Sequence, residues 1–158
     1  MQNTIKYRSY QTSDFQDLLA FLSIVEKDFY PPLSKRTTLR NYLLNDLVEN
    51  SYTYIALCNN SIVGFINLQI NEPAKNETNI NTVAIHPKFR KMEIASQLMG
   101  NVINFAKTNG FGCIKTRTWS INNSGLGLYK KFGFELDYIV KNDRENNVDS
   151  IYLVNKFS

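Results

Sequence analysis

The sequence predicts an α+β fold built on one mixed, mostly antiparallel twisted sheet of about seven strands, and three observations carry that prediction. First, 158 residues with 43% apolar and 20% charged side chains describe a single globular domain rather than a disordered or membrane chain. Second, the periodicity along the chain changes in the order strand, two helices, three strands, helix, strand, helix, two strands, which is not the repeated βαβ of a parallel dinucleotide-binding sheet. Third, Asn59-Asn60 separates two apolar runs, and asparagine tolerates the left-handed backbone of a tight hairpin, so those strands pair antiparallel.

The elements follow in order. Ile5 and Tyr7 mark a first strand over residues 4–10. Ser13 followed by Gln16 has capping-box form, and Phe15, Leu18, Leu19, Leu22 and Val25 recur at helical spacing, predicting a helix over 14–27. Pro31-Pro32 cannot continue it, because proline removes donors and holds its neighbours extended. Ser34 is then expected to cap a second helix reaching about residue 49, with Leu39, Tyr42, Leu43 and Leu47 facing inward. Strands over 52–58 and 61–71 form the hairpin, and a polar turn at 73–76 leads to a central strand ending in Val83, Ala84 and Ile85.

His86-Pro87 stops that strand, and Lys88, Arg90 and Lys91 precede an amphipathic helix carrying Ile94, Leu98, Val102 and Phe105 on one face. Thr108-Asn109-Gly110 ends this helix. A fifth strand spans 113–119, a short helix follows Asn122, and strands over 135–140 and 149–156 flank a polar turn at 141–148.

A strand that turns directly into a helix leaves the first helical N–H groups without intrahelical partners. With the helix dipole and three nearby cations, the turn at residues 86–96 suits a phosphate. The alternative is an ordinary turn with a solvated basic corner. The run Val83 to Leu98, VAIHPKFRKMEIASQL, resembles the signature segment of the GNAT acetyltransferase superfamily, in which Arg/Gln-x-x-Gly-x-Gly/Ala opens a helix. Arg90 matches the opening residue and Ala95 the closing small one, while Glu93 stands in place of the middle glycine. A second segment, Trp119 to Phe134, is similar to the family's N-x-x-A-x-x-x-Y-x-K-x-G-F: Asn122, Tyr129 and Gly133-Phe134 match, and Gly125 replaces alanine.

The resemblance implies a three-layer arrangement with helices on both faces of the sheet, and acetyl-CoA (coenzyme A) as cofactor. It implies that Val83, Ala84 and Ile85 pair with the pantetheine arm and that the amides of Arg90, Lys91, Met92, Glu93, Ile94, Ala95 and Ser96 hold the pyrophosphate. Asn122 and Tyr129 complete the cofactor site, with Tyr129 as the acid that serves the departing thiolate. On the residues alone, Tyr129 could instead pack in the core and Asn122 merely cap its helix. The implied function is transfer of an acetyl group to a primary amine by direct attack in a ternary complex. The alternative is a GNAT-fold binding or assembly module without catalysis, suggested by Glu93 and Asn81.

Such a reaction needs a deprotonated amine, because an alkylammonium with a pKa near 10.4 is not nucleophilic. It also needs a donor for the developing oxyanion, expected from an amide around residues 83–85. Asn81 occupies the position where the resemblance implies a carboxylate; it cannot take a proton but can orient a water. Glu72 and Glu77 are the nearby carboxylates, and a water chain to solvent is the other route. Phe29, Tyr30 and Pro31, with Tyr52 and Tyr54, are expected to wall the acceptor.

The acceptor is a small-molecule or peptide amine. A homodimer is left open. A single histidine without Cys-x-x-Cys argues against a metal site, and the scattered basic residues of a chain with net charge +4 argue against nucleic acid. No apolar run or signal core points to a membrane, and Cys58 and Cys113, both in strand-like runs, read as buried thiols of a cytoplasmic protein.

Overall fold

The computed structural model describes residues 4–35, 37–70 and 76–157. Seven strands form one sheet in the order β1-β2-β3-β4-β5-β7-β6. These are β1 (Ile5–Ser9), β2 (Ser51–Cys58), β3 (Ser61–Ile70), β4 (Glu77–Ile85), β5 (Cys113–Trp119), β6 (Glu135–Arg144) and β7 (Val148–Lys156). Every neighbouring pair is antiparallel except β4 with β5. Asn59 and Asn60 both take positive φ (50° and 66°) at the β2–β3 hairpin, as the sequence predicts.

Helices cover both faces. The first, α1 (Phe15–Val25), and the second, α2 (Leu39–Tyr42), which continues as a wider π turn over Leu43–Val48, lie on one side. There Leu18, Phe21, Leu22, Leu43 and Leu47 pack on Ile55 and Phe65. On the other side α3 (Ile94–Thr108) and α4 (Asn123–Lys131) contribute Leu98, Met99, Val102, Ala106 and Tyr129, packed on Ala56, Ile66, Leu68, Ile80 and Ile114. The alternation of Phe65 and Ile66 between the two cores is the period-2 signature of a strand buried on both sides. Each such fully buried aliphatic side chain contributes about 1.5–3 kcal/mol relative to exposure.

Several boundaries differ from the sequence reading. Thr38, not Ser34, caps α2: its Oγ1 accepts the Asn41 N–H at 3.1 Å, whereas the Ser34 N–H donates to the Glu26 carboxylate at 3.0 Å in a short turn over Leu33–Lys35. Before α1 the buried Asp14, rather than Ser13, does the work, accepting the Gln11 N–H at 2.8 Å and gripping Arg8 through two bonds of 2.7 and 2.9 Å. Strand β6 runs on to Arg144, so the polar turn shrinks to Glu145–Asn147, where Asn146 and Asn147 take positive φ. The third predicted strand stops at Ile70 among the described residues. Glu72, and most of the predicted turn at 73–76, lie outside them. Among the described residues no helix is long and apolar enough to cross a membrane, and no group of three or more His, Cys, Asp or Glu is placed to hold a metal ion. Cys58 and Cys113 are free, the first buried and the second half-buried.

Candidate active site

The site is organised by a fork in the sheet. Strand β4 runs parallel to β5 from Glu77↔Cys113 to Ile80↔Thr116, and there their ladder ends. The β3–β4 register shifts at the same place: Leu68 faces Ile80 and Asn67 faces Thr82, which makes Asn81 the extra residue of a bulge. A bulge bends its strand and increases its twist, so β4 swings away from β5. It also changes which face each residue serves. Ile80 packs under α3, whereas Ala84 packs under α1 and α2 and the Thr82 hydroxyl bonds that of Tyr42. Beyond the bulge, residues 82–85 remain paired with β3 alone.

Beside the freed end of β4 is a cleft of about 640 Å³. Val83, Ala84, Ile85, Arg90, Lys91, Glu93, Ile94, Ala95, Ser96 and Asn122 all line it, with Gly125, Gly127, Leu128 and Lys131 of α4 opposite. Met92 is exposed and stands outside the lining. His86 Nδ1 accepts the Lys88 N–H at 3.1 Å and starts the turn. Two residues then enter the left-handed region, Lys91 and Glu93, each with φ 63°. This is the conformation glycine adopts without penalty, so the structure gives a physical reason for glycine at the Glu93 position.

Glu93 is the residue before the first turn of α3, and its side chain does not cap the helix amides. The carboxylate is 73% exposed and pairs with Lys131 Nζ at 3.3 Å, while the same ammonium donates to Ser96 Oγ at 2.9 Å. Arg90 pairs with Asp28 at 2.5 Å and donates from Nε to the Ile85 carbonyl at 3.3 Å, tying the turn to the segment after α1. Arg90, Lys91 and Lys131 against Asp28 and Glu93 leave the lining with one positive charge in excess. Residues here fit a diphosphate: uncapped helix amides, one cation in excess, and a wall thinned by Gly127, whose absent side chain would meet nothing within 4 Å. Gly125 has a different reason. A Cβ there would stand 2.3 Å from the Asn122 amide, which caps α4 by accepting the Gly125 N–H at 3.2 Å and donates to Thr118 at 2.9 Å.

Tyr129 reaches from α4 to the root of the fork. Its hydroxyl lies 3.4 Å from Thr116 Oγ1, which is 3.2 Å from the Ile80 carbonyl, so the phenol stands at the last β4–β5 pair. Its ring packs edge-on against Phe134 at 5.2 Å. Burial pushes its pKa above the ordinary value of a phenol, the Thr116 hydrogen bond opposing this, and the hydroxyl stays protonated at neutral pH. It faces a second cavity of about 400 Å³, lined also by Asn81, Phe29, Tyr42, Lys115, Arg117, Asp137, Tyr138, Arg144 and Tyr152. Phe29, Val83, Trp119 and Asn122 border both spaces.

Not every expected residue is here. Tyr54 is not part of the wall. It stacks on Tyr7 and Tyr52 (6.5 and 6.1 Å), and Tyr52 stacks on Phe105 at 3.9 Å, because alternation along β2 turns both residues toward α3. Tyr30 lines neither cavity. Its hydroxyl donates to the Glu145 carbonyl at 3.0 Å and accepts from Asn146 at 2.8 Å, fastening the segment after α1 to the β6–β7 turn. Glu77 is held by Lys115 at 3.0 Å and lines neither cavity. The sequence reading missed Asp137, Arg117 and Trp119. Asp137 is the extra residue of a β6 bulge, between the pairs Leu136↔Leu153 and Tyr138↔Tyr152, and it is the one carboxylate lining the smaller cavity among the described residues. Trp119, the single tryptophan, was available as a signal, since tryptophan joins a large apolar face to a polar N–H and is enriched at interfaces.

Comparison with known proteins agrees with this fold. A crystal structure of an acetyltransferase of the GNAT family from Streptococcus pneumoniae superposes with a TM-score of 0.82 over 98% of this chain and 100% of that one, at 18% identity. The ribosomal-protein-S18-alanine N-acetyltransferase of Escherichia coli gives 0.80 over 98% and 95%, at 16% identity. At such identities the likeness is one of fold. A probable N-acetyltransferase, camello, of Xenopus tropicalis is 25% identical over 96 residues, covering 61% of this chain and 42% of that protein, so the chain spans less than half of that relative's length. The Acetyltransferase (GNAT) family description matches residues 18–134, about three-quarters of the chain, and with the forked sheet and the cleft beside it the protein belongs to the GNAT acetyltransferase family.

Proposed function

We propose that the chain, acting as one domain, is an N-acetyltransferase that moves an acetyl group from acetyl-CoA to a primary amine by direct attack in a ternary complex. The observation that carries this reading is the fork, with the Tyr129 hydroxyl at its root, a basic cleft on one side and a separate cavity on the other. Acetyl-CoA supplies an activated thioester carbonyl. The amides of residues 90–96, with Arg90, Lys91 and Lys131, bind its diphosphate, and the edge of residues 83–85 released from β5 aligns its arm. An amide of that edge faces the charge that develops on the acyl oxygen, a role worth about 2.7–4 kcal/mol where it has been removed from other enzymes. Tyr129, neutral through the physiological range, donates to the departing thiolate.

The amine enters the smaller cavity and loses its proton to water ordered by Asn81. Asp137 is the one carboxylate that lines this cavity among the described residues, and Glu72 lies outside them. Phe29 and Trp119, with ring centroids 6.3 Å apart, shield the junction from solvent. The alternative of a non-catalytic module loses part of its motive, because the Glu93 carboxylate pairs with Lys131 and leaves the first amides of α3 uncapped.

The experiment is calorimetry with acetyl-CoA combined with thiol release across a panel of amines, on the wild type and on Tyr129→Phe. The variant is expected to keep its acetyl-CoA affinity within about twofold while turnover falls roughly a hundredfold or more. Equal turnover removes Tyr129 as the acid. Absence of binding at millimolar acetyl-CoA overturns the enzymatic reading.

A further inference from the structure

The smaller cavity has an unbalanced charge. Three cations line it, Lys115, Arg117 and Arg144, against the single carboxylate of Asp137. Two of the three are engaged. Lys115 is paired with Glu77 at 3.0 Å. Arg144 bonds the Tyr30 carbonyl and, at 3.0 Å, Ser150 Oγ, and its guanidinium lies 5.5 Å over the Trp119 ring, so it holds the wall together.

Arg117 is different. It is exposed, has no carboxylate within ion-pair distance among the described residues, and rests against Tyr152, whose hydroxyl is 3.5 Å away and whose ring centroid is 6.0 Å from the guanidinium carbon. Tyr152 is itself braced by a parallel stack on Tyr138 at 4.2 Å. An arginine resting on a braced aromatic keeps its planar fork of donors oriented and loses little freedom on binding an oxyanion. Its place in the strand matters as much. Arg117 follows Thr116, the last residue paired with β4, and strand alternation turns it to the face opposite Thr116 and Tyr129. The smaller cavity, beyond the last residue of β5 paired with β4, is lined by Arg117 as well as by Thr116 and Tyr129, and Arg117 does not line the larger cleft.

We propose that the acceptor amine carries an anionic group, a carboxylate or a phosphoryl, and that Arg117 binds it while the amine lies at the fork. The inference rests on the smaller cavity being the acceptor site. Its test is chosen to read binding apart from turnover, using the fluorescence of Trp119, the single tryptophan, which borders both spaces. Matched pairs differing only in the anion are titrated in the presence of coenzyme A: phenylalanine against phenethylamine, and phosphoethanolamine against ethanolamine.

At least one anionic member is expected to give a saturable change, with its neutral partner at least tenfold weaker, and the responding pair identifies which anion is read. Arg117→Ala is expected to weaken the anionic member roughly ten- to a hundredfold, and Arg117→Lys to recover part of the loss. In turnover, the KM for the anionic acceptor rises by a similar factor in Arg117→Ala while kcat falls less than about threefold, which a merely structural role would not produce. Equal binding of anionic and neutral partners, no response from either anion, or an Arg117→Ala titration identical to wild type would each overturn the proposal. Anion-selective binding that Arg117→Ala weakens, without acetyl transfer to any amine, would support the anion site at Arg117 and overturn its reading as part of an acceptor site together with the enzymatic reading.

Discussion

A left-handed backbone costs an ordinary L-residue roughly 1–2 kcal/mol relative to a conformation it prefers, and glycine escapes most of that. The turn before α3 carries this penalty at both Lys91 and Glu93. Replacing Glu93 by glycine removes one such penalty and a solvent-exposed ion pair worth about 0–1 kcal/mol. The variant is expected to be more stable by about 1 kcal/mol in urea unfolding. It should also bind coenzyme A more tightly, since Lys131 is freed and a negative charge leaves the cleft mouth; calorimetry reads the second effect.

Tyr129 gives a pH prediction of definite sign. Its folded pKa is raised by burial, so the stability it contributes is complete below the unfolded value near 10 and is lost as pH rises through the folded value. Tyr129→Phe should flatten the alkaline end of the stability profile and leave it unchanged at pH 7–9. At this scale the sequence was most informative about the cleft, where motif spacing placed Arg90, Ala95 and Asn122 on one lining. It was least informative about Tyr54, because period 2 says that neighbours alternate but not which face meets which helix.

Among the elements, the start of α1 and the body of α4 make the sharpest cases. Asp14 is buried, and its pKa is lowered from the ordinary carboxylate value by the hydrogen bond from Arg8, with the Gln11 amide adding to it and burial opposing. Its contribution is therefore present above the unfolded pKa near 3.9 and disappears as pH falls through the lower folded value. Asp14→Asn should cost about 1–2 kcal/mol at pH 7, and the gap between the two proteins should close as acid unfolding is approached. In α4 the two glycines separate cleanly. Gly127→Ala should stabilise by about 1 kcal/mol through helix propensity, whereas Gly125→Ala should gain little or lose, because the new methyl displaces the Asn122 cap worth a similar amount. Thermal melts of the two variants distinguish these outcomes. Boundaries such as those of β5 could be read from alternation alone. The bulges at Asn81 and Asp137 could not, since an extra residue shifts register without changing composition.

For the whole molecule, a ligand present at a hundred times its dissociation constant adds about 2.7 kcal/mol to stability, which in a chain of this size corresponds to a rise of roughly 5–10 °C in Tm. Acetyl-CoA is expected to produce that shift in a thermal melt. The architecture itself was legible because its order of periods is distinctive and its hairpin asparagines mark an antiparallel pair. The fork was not legible, since it depends on where two distant strands cease to pair.

That same fork leaves the two chambers separated by little more than Phe29, Val83, Trp119 and Asn122. Ligands in the two spaces would meet the same four side chains, and thermodynamic linkage requires that any change one makes in the affinity of the other be returned by the same factor. A titration of either substrate, run with and without its companion, must return the same ratio from both directions.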